Sequence, residues 1–258
     1  MKYLKYLMLI VVITLSFYFT EKIMIHMENK NPIMLEIIKK ENSYKTKPVN
    51  AVIENNTIIP GINGRVVDKR KSLAKMNEIG SFNETFLVYD EIAPKISLNN
   101  NLEKIIVKGN PIKRMVSLVI NQNKNAENYL KENNIKYALI ADINTKIDKT
   151  KKYVLGERSL DNISDLNTLL NKHKVNTKIC ILNYSNVEYC NKNKYLLVDP
   201  LVKTDDNINK VLNKITSGSI ILINKGLSND NLILILNEIK KQDLKIFYIN
   251  EMLSESTK

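Results

Sequence analysis

Several residue types are scarce in this sequence, whose 258 residues include no tryptophan, two cysteines, two histidines and seven glycines. The two cysteines, Cys180 and Cys190, form no C-x-x-C pair and lack zinc-finger spacing, which argues against the common cysteine-rich metal modules. They can form a disulfide if the domain lies outside the cell and their Cα atoms come within about 7 Å, or they can pack as two small apolar side chains. Gly61 and Gly64 are not followed by the Lys-Ser/Thr pair of a phosphate-binding loop, so a turn explains them.

Acidic residues are also fewer than basic ones, with 27 Asp and Glu against 39 Lys and Arg and a formal net charge of +12. Such an excess favours anionic partners: nucleic acid, acidic lipid headgroups or polyanionic wall polymers. The lysines are scattered along the chain and few aromatic residues are interleaved with them, so we expect a solvated basic surface and no nucleic-acid partner. The hydrophobic fraction of 44% is sufficient for a buried core.

A membrane-directing segment stands at the start of the sequence, where residues 6–19 carry no charge and lysines precede them. The apolar stretch is shorter than the roughly 20 residues of a comfortable span, so a cleaved signal peptide and an anchor are both possible. No small-x-small cleavage site follows it. We therefore predict an uncleaved anchor over residues 1–22, with the body of the protein outside the cytoplasm. Residues 23–48 are predicted to form a stalk and linker, with a break at Pro32.

Residues 49–113 are predicted to form a small α+β lead-in domain. Asp68 can cap a helix that runs to Ile79, and Gly80 can end it. Short apolar runs predict strands at residues 51–53, 57–59, 85–89 and 104–107.

Residues 114–258 alternate between short apolar runs and amphipathic segments, a pattern typical of a parallel sheet or barrel with helices between its strands. Strands are predicted at residues 115–120, 137–141, 153–155, 179–182, 195–198, 219–223 and 246–249, and helices near 124–133, 163–170, 204–215 and 230–241. The first strand stops abruptly in Asn121, Gln122 and Asn123. The carboxyl end of such a strand is where α/β domains usually hold their functional side chains.

Residues 115–252 resemble the NodB-homology polysaccharide deacetylases, which are carbohydrate esterases of family 4. The run from Val116 to Gln122 is similar to a strand that ends in two aspartates in that family. The segment from Gly218 to Asn224 and the segment from Leu244 to Leu253 are similar to its closing part, where a histidine ends the first of the two. The resemblance implies a distorted (β/α) barrel with its active site at the carboxyl ends of the strands.

In active members of that family, as the resemblance implies, one aspartate is a general base, while the other aspartate and two histidines bind a divalent metal such as zinc. Those positions correspond here to six residues that cannot perform these roles as a set: Asn121, Gln122, Arg158, Ser159, Asn162 and Asn224. Amides cannot act as bases, and a guanidinium is excluded from a cation's coordination shell. We therefore expect no catalytic residue, no metal and no cofactor.

The sequence is consistent with three functions. The leading hypothesis is a membrane-anchored, extracytoplasmic pseudoenzyme that binds a cell-envelope glycan or an envelope partner in a groove lined by Asn121, Gln122, Arg158 and Asn224. The second is an active but divergent deacetylase of N-acetylglucosamine polymers, which would need a metal such as zinc. The third is a basic, membrane-tethered interaction protein with no ligand in the barrel, whose surface meets anionic polymers or lipid.

Overall fold

The computed structural model describes residues 2–257, so Met1 of the predicted anchor and the terminal Lys258 lie outside it. The secondary structure of the described residues, in chain order, is α1 (Lys2–Lys30), α2 (Pro32–Tyr44), β1 (Val52–Glu54), β2 (Thr57–Ile59), β3 (Gly64–Val67), α3 (Lys69–Asn77), β4 (Tyr89–Ile92), β5 (Ile105–Ile106), β6 (Met115–Ile120), α4 (Lys124–Glu132), β7 (Ala138–Ala141), β8 (Tyr153–Leu155), α5 (Leu160–Lys172), β9 (Ile179–Ile181), α6 (Val187–Lys192), β10 (Leu196–Val198), β11 (Val202–Lys203), α7 (Ile208–Lys214), β12 (Ile220–Ile223), α8 (Asn229–Lys241), β13 (Lys245–Ile246) and α9 (Ile249–Leu253).

The chain forms two compact units, one made of the chain up to Lys47 with Gly64–Ile92, the other of Pro48–Asn63 with Ala93–Lys258. This division differs from the predicted boundary after residue 113. Residues 48–63 and 93–113 belong to the larger unit because β2 and β5, which they contain, are strands of its sheet.

The first unit contains α1, whose segment Tyr6–Lys30 is long and apolar enough to cross a membrane and has none of its side chains buried. A signal sequence would satisfy the same test of length and composition. The helix ends at Lys30, and the next residue, Asn31, caps α2: its side chain accepts a hydrogen bond of 2.8 Å from the amide of Ile33. Pro32 then opens α2, as expected for a residue that fits only the first turn of a helix.

Residues 23–48, the predicted stalk and linker, are helical to Tyr44 except for a break at Asn31, next to the break predicted at Pro32. Met34 and Ile37 of α2 are buried, and Leu73 and Met76 of α3 belong to the same cluster. This apolar face gives residues 32–44 a packed position that a polar linker would not have. Asp68 caps α3 as predicted, by accepting a hydrogen bond of 3.0 Å from the amide of Lys71.

The second unit is built on one curled sheet with the strand order β1-β2-β5-β10-β9-β8-β7-β6-β12-β11, and β13 also pairs with β6. Every pairing in it is parallel except that of β1 with β2, which form a hairpin. Because side chains alternate along a strand, each of these apolar runs fills two cores. Val116, Leu118 and Ile120 pack outward under α4, α7 and α8, whereas Val119 faces the concave side.

The concave side of the sheet is filled by the short helix α9. Its residues Ile249, Met252 and Leu253 are at most 2% exposed and lie in one cluster with Val119, Val154 and other inward-facing residues. The prediction of a last strand over residues 246–249 is wrong beyond Ile246. The chain turns into a helix there, and the Glu251 carboxylate accepts a hydrogen bond from the amide of Tyr248 at the start of the new helix.

The predicted strand at residues 85–89 is also wrong, since residues 84–86 form a 3-10 turn and β4 begins only at Tyr89. Asn83 causes the turn, because its side chain accepts a hydrogen bond of 3.0 Å from the amide of Thr85 and so favours a helical start. β-Branched and aromatic composition alone suggested a strand here, and local capping overrode it.

Glu255 ties three segments of the second unit together near the end of the chain. Its carboxylate is buried, with the residue 8% exposed, and accepts hydrogen bonds from the amides of Gly61 at 2.7 Å and Leu98 at 2.9 Å. Its own carbonyl accepts a bond from the amide of Asn63. Gly61 has no room for a Cβ atom, which would lie 2.5 Å from the carbonyl oxygen of Val49.

The two cysteines, left open between a disulfide and two thiols by the sequence, are joined in the structure. Cys180 of β9 and Cys190 of α6 are both fully buried, and their Cα atoms are 6.5 Å apart. The bond attaches α6, a helix that was not predicted, to the convex face of the sheet.

Candidate functional site

Two asparagines meet at the carboxyl ends of β6 and β12. The register pairs Ile120 with Ile223, and the next residues, Asn121 and Asn224, continue this pairing: the backbone amide of Asn121 still donates to the carbonyl of Ile223 at 2.8 Å. Both side chains follow the inward-facing alternation of Val119 and Leu222. The Asn121 side-chain amide donates to the Asn224 side-chain carbonyl at 3.2 Å, so the structure brings together these two predicted site residues.

Asn224 is the centre of a hydrogen-bond network at this edge. It is 6% exposed, and its side-chain carbonyl also accepts from the Tyr184 hydroxyl at 3.3 Å. Its side-chain amide donates to the Asp205 carboxylate at 2.5 Å, and its backbone amide donates to the Thr204 hydroxyl at 2.9 Å. The asparagine is therefore fixed in orientation by groups from three different strand ends. Around it, Asn121 and Tyr184 are half-buried and Asp205 is exposed.

Gln122 points away from this network. Its backbone is left-handed, with a φ of 50°, and its exposed side chain donates to the Asp142 carboxylate at 3.4 Å. A left-handed conformation costs a residue with a Cβ roughly 1–2 kcal/mol. It lets the chain leave β6 and enter α4 at once, where Asn123 caps the helix by accepting from the amide of Ala126.

Arg158, Ser159 and Asn162 stand at the end of β8 and the start of α5. The Arg158 guanidinium donates to the carbonyl of Asn183, with Nε at 3.0 Å and Nη2 at 2.5 Å. Ser159 is the helix cap, and its hydroxyl accepts from the amide of Asn162 at 3.4 Å. Within residues 2–257, no hydrogen bond joins any of the three to Asn121 or Asn224. The predicted groove residues thus fall into two groups along the same edge of the sheet.

Sequence reasoning missed three members of the network: Tyr184, Thr204 and Asp205. The sequence predicts a helix from residue 204, but α7 begins at Ile208 with Asn207 as its cap, and Asp206 binds Lys214 at 2.6 Å. Tyr184 lies three residues after β9, in a segment for which no structure was predicted. The same strand-end argument, applied to β9 and β11, would have directed attention to both segments.

The chemistry available at this edge is that of neutral hydrogen-bonding groups with one carboxylate. Two amides, a phenol and a hydroxyl can donate to and accept from a ligand's hydroxyl or acetamido groups. They do not fit the divalent metal that the resemblance implies, because Asp205 is the one carboxylate in the network and it already binds an amide. Among the described residues, no three His, Cys, Asp or Glu side chains are placed to hold a metal ion.

No protein-family profile matches the chain. YlxY, an uncharacterized protein of Bacillus subtilis (strain 168), is 39% identical over 94 residues, which are 36% of this chain and 30% of YlxY. The chain thus matches less than a third of the length of that relative.

Solved structures give a longer match. BA3943 of Bacillus anthracis, a pseudoenzyme of carbohydrate esterase family 4, superimposes with a TM-score of 0.59 at 21% identity, covering 87% of this chain and 95% of that one. A BA3943 mutant with restored enzymatic activity has a TM-score of 0.58 at 20% identity, covering 87% and 98%. The resemblance predicted from sequence is confirmed as a shared fold: the chain has the curled α/β fold of family 4 carbohydrate esterases.

Proposed function

We propose that this protein is a membrane-anchored, extracytoplasmic pseudoenzyme that binds an N-acetylated cell-envelope glycan without cleaving it. The ligand contacts the network around Asn121, Tyr184, Asp205 and Asn224, at the edge of the sheet where deacetylases of this fold carry out their chemistry. An envelope protein that presents similar polar groups is the alternative occupant of the same edge.

The observation that carries the proposal is the hydrogen-bonding state of Asn224. Its amide is held between Asn121, Tyr184 and Asp205, so it forms a rigid, neutral platform in place of a general acid or a base. Preorganised amides and a phenol suit sugar hydroxyl and acetamido groups, which are neutral and make hydrogen bonds of both kinds. The similarity in fold to a family 4 pseudoenzyme supports the same interpretation.

Two features support a position outside the cytoplasm. The helix α1 has the length and apolar composition of a membrane span. The disulfide between Cys180 and Cys190 belongs to an oxidising compartment, because cytoplasmic thiols are kept reduced. With the lysines that precede the apolar segment on the cytoplasmic side, the sheet unit would face the envelope.

The binding test uses the full chain in a neutral detergent that contains no sugar, with chitin oligomers and purified peptidoglycan as ligands. We expect the wild type to bind these ligands and the double variant with Tyr184→Phe and Asn121→Ala to bind them about tenfold more weakly, because the two changes remove two hydrogen-bond donors from the site. Asn237→Ala is the matched control, since Asn237 is an exposed asparagine on α8 that lies on the convex side of the sheet. Unchanged binding in the double variant would contradict the groove assignment.

The test for catalysis measures acetate release from acetylated chitooligosaccharides, together with the metal content of the purified protein. We expect no release above the rate of a boiled sample, and no bound metal at stoichiometric level. Acetate release or stoichiometric zinc would replace the proposal with a divergent deacetylase.

A further inference from the structure

A second cleft lies at the opposite edge of the sheet, at the amino ends of β7, β8, β9 and β10. It has a volume of about 420 Å³, and its lining includes the first residues of these strands: Ala138, Tyr153, Ile179 and Leu196. None of its lining residues belongs to the network around Asn224. The two locations are separated by the length of the strands, which is about 10 Å for three residues.

Five lysines line this cleft: Lys149, Lys151, Lys152, Lys174 and Lys178. Lys151 is neutralised by Glu127 at 2.6 Å. The other four are exposed, and no carboxylate in the described part of the chain forms an ion pair with them. Glu255, the one acidic residue of the lining, is occupied by the amides of Gly61 and Leu98. The cleft therefore has a local excess of positive charge that the protein itself does not balance.

The walls and the floor of the cleft are of a different character from its rim. Ile249 and Leu253 of α9 form an apolar floor together with Leu196, while Asn99, Asn176 and Thr177 contribute neutral polar groups. Nucleic-acid bases would need exposed aromatic faces for stacking, but Tyr153 of the lining is 5% exposed. A cationic rim, polar walls and an apolar floor suit a sugar or polyol unit that carries an anionic group.

The cleft also continues sideways, which favours a polymer over a single small anion. Lys151 and Lys152 also line a second hollow of about 240 Å³ that reaches Lys131, Lys136 and Tyr248. The Tyr248 ring is already close to two ammonium groups, at 5.1 Å from Lys136 and 5.8 Å from Lys152. It is therefore less available to stack on a base.

We propose that this amino-end cleft binds an anionic glycopolymer, whose phosphate or carboxylate groups contact Lys149, Lys152, Lys174 and Lys178 and whose neutral sugar or polyol units cover the apolar floor. This site is independent of the one around Asn224, so the protein can hold a charged polymer at one edge and a neutral glycan at the other. Lysines bind phosphate and carboxylate as point charges, and the binding is therefore sensitive to salt.

The experiment measures binding of the full chain, in a neutral detergent, to four fluorescently labelled polymers: polyglycerol phosphate, polygalacturonate, neutral dextran and a single-stranded RNA. The cleft variant reverses three charges, Lys149→Glu, Lys174→Glu and Lys178→Glu. The matched control reverses three exposed lysines away from the cleft, Lys192→Glu, Lys210→Glu and Lys240→Glu, and so produces the same net charge.

We expect the cleft variant to lose at least about tenfold in affinity and the control to stay within about twofold, because close charges act more strongly than distant ones in salt. Binding of polyglycerol phosphate or of polygalacturonate supports the proposal and identifies the anionic group. Equal losses in the two variants, tighter binding of RNA, or binding of dextran as strong as that of the charged polymers would each overturn it. Binding of chitin oligomers by the cleft variant is measured in parallel. If this binding is retained, the three substitutions have left the site around Asn224 intact, and the two proposals are tested separately.

Discussion

At the carboxyl end of β12, one asparagine joins side chains from β6, from the loop after β9 and from the segment after β11. An amide can do this because it has both a carbonyl acceptor and an NH₂ donor, so it joins a donor on one side and a carboxylate on the other. A histidine in its neutral form has one donor and one acceptor, which is fewer contacts than Asn224 makes. The residue is thus suited to holding the edge together.

Glu255 provides a test of how much one buried acceptor contributes. Glu255→Ala would leave the amides of Gly61 and Leu98 buried without a partner, at about 1–3 kcal/mol for each. We expect Glu255→Ala to lower the free energy of unfolding by about 2–4 kcal/mol. Glu255→Gln keeps a carbonyl oxygen in place, so its free energy of unfolding should fall by about half as much as that of Glu255→Ala, or less. Urea denaturation of the two variants measures the difference, and equal losses would show that the negative charge matters more than the acceptor.

At this scale the sequence predicts part of the site. Asn121 and Asn224 could be paired in advance because each follows an apolar strand, and strand ends meet at one edge of a parallel sheet. The contacts of Asp205 and Tyr184 with Asn224 could not be predicted. They depend on the conformation of the segments that follow β11 and β9. Arg158 was placed on the correct edge, but its contact with the carbonyl of Asn183 depends on a loop conformation that residue types do not encode.

Among the elements, α3 illustrates a helix start that the sequence predicts well. Asp68 precedes an amphipathic segment, and its side chain accepts from the amide of Lys71 while it also pairs with the Lys71 ammonium at 2.7 Å. The hydrogen bond from the Lys71 side chain, with that from its backbone amide, holds the pKa of Asp68 below its usual value. The Asp68 carboxylate therefore stabilises the helix most when it is ionised.

We expect Asp68→Ala to lower stability by about 1 kcal/mol, because the first turn of α3 loses its cap. Asp68→Asn should lose less, since its side-chain oxygen still accepts. The pKa of Asp68 is lowered in the folded state, so the contribution of its charge is complete above the ordinary pKa of aspartate and is lost as pH falls through the folded value. Thermal unfolding at neutral and acidic pH checks this, and a difference between wild type and Asp68→Asn that grows on acidification would contradict it.

The disulfide between Cys180 and Cys190 joins two elements, because it attaches α6 to β9 across a sequence separation of ten residues. A crosslink that closes a loop of this length stabilises a protein by about 2–3 kcal/mol through the unfolded chain. We expect a reducing agent to lower the midpoint of urea denaturation of the wild type. The Cys180→Ala and Cys190→Ala double variant should be insensitive to the reducing agent, and a wild type that is equally insensitive would exclude a stabilising bond.

The two elements that sequence reasoning misassigned share a physical cause. Residues 85–89 and 246–249 are rich in aromatic and β-branched side chains, which favour strands on average. In both segments, a nearby polar side chain accepts a local hydrogen bond from the backbone. The Asn83 side chain accepts from the amide of Thr85, and the Glu251 side chain accepts from the amide of Tyr248. Capping groups of this kind determine the secondary structure of short segments. The conformation of a strand with partners on both sides is instead determined by its pairing in the sheet.

For the molecule as a whole, the parallel sheet was predictable because its strands are short apolar runs with helices between them. The residues of β6 and β12 are apolar on both faces, except for two buried serines: Ser117 within β6 and Ser219 directly before β12. Such runs are stable only when both faces are covered. The participation of residues 48–63 in the same sheet was not predictable, because β2 pairs with β5 across more than forty residues and nothing local specifies that contact.

The role of α1 can be tested on the whole protein. A chain that begins at Asn31 keeps the cap of α2 and loses only the helix whose apolar side chains are exposed. We expect the full chain to remain in the membrane fraction after alkaline carbonate extraction and the shortened chain to be released, because about 20 apolar residues are what holds a span in the bilayer. Release of the full chain under the same treatment would indicate a signal segment or a peripheral attachment.

The helix α9 has a thermodynamic consequence for the two proposed binding sites. Ile249, Met252 and Leu253 fill the concave side of the sheet, and Ile249 and Leu253 also form the floor of the amino-end cleft, but no residue that lines this cleft belongs to the Asn224 network. The two binding free energies should then be additive to within about 0.5 kcal/mol, as for separated sites without shared partners. Such a protein would act as a passive connector, whose occupancy at each edge follows only the local concentration of the polymer found there.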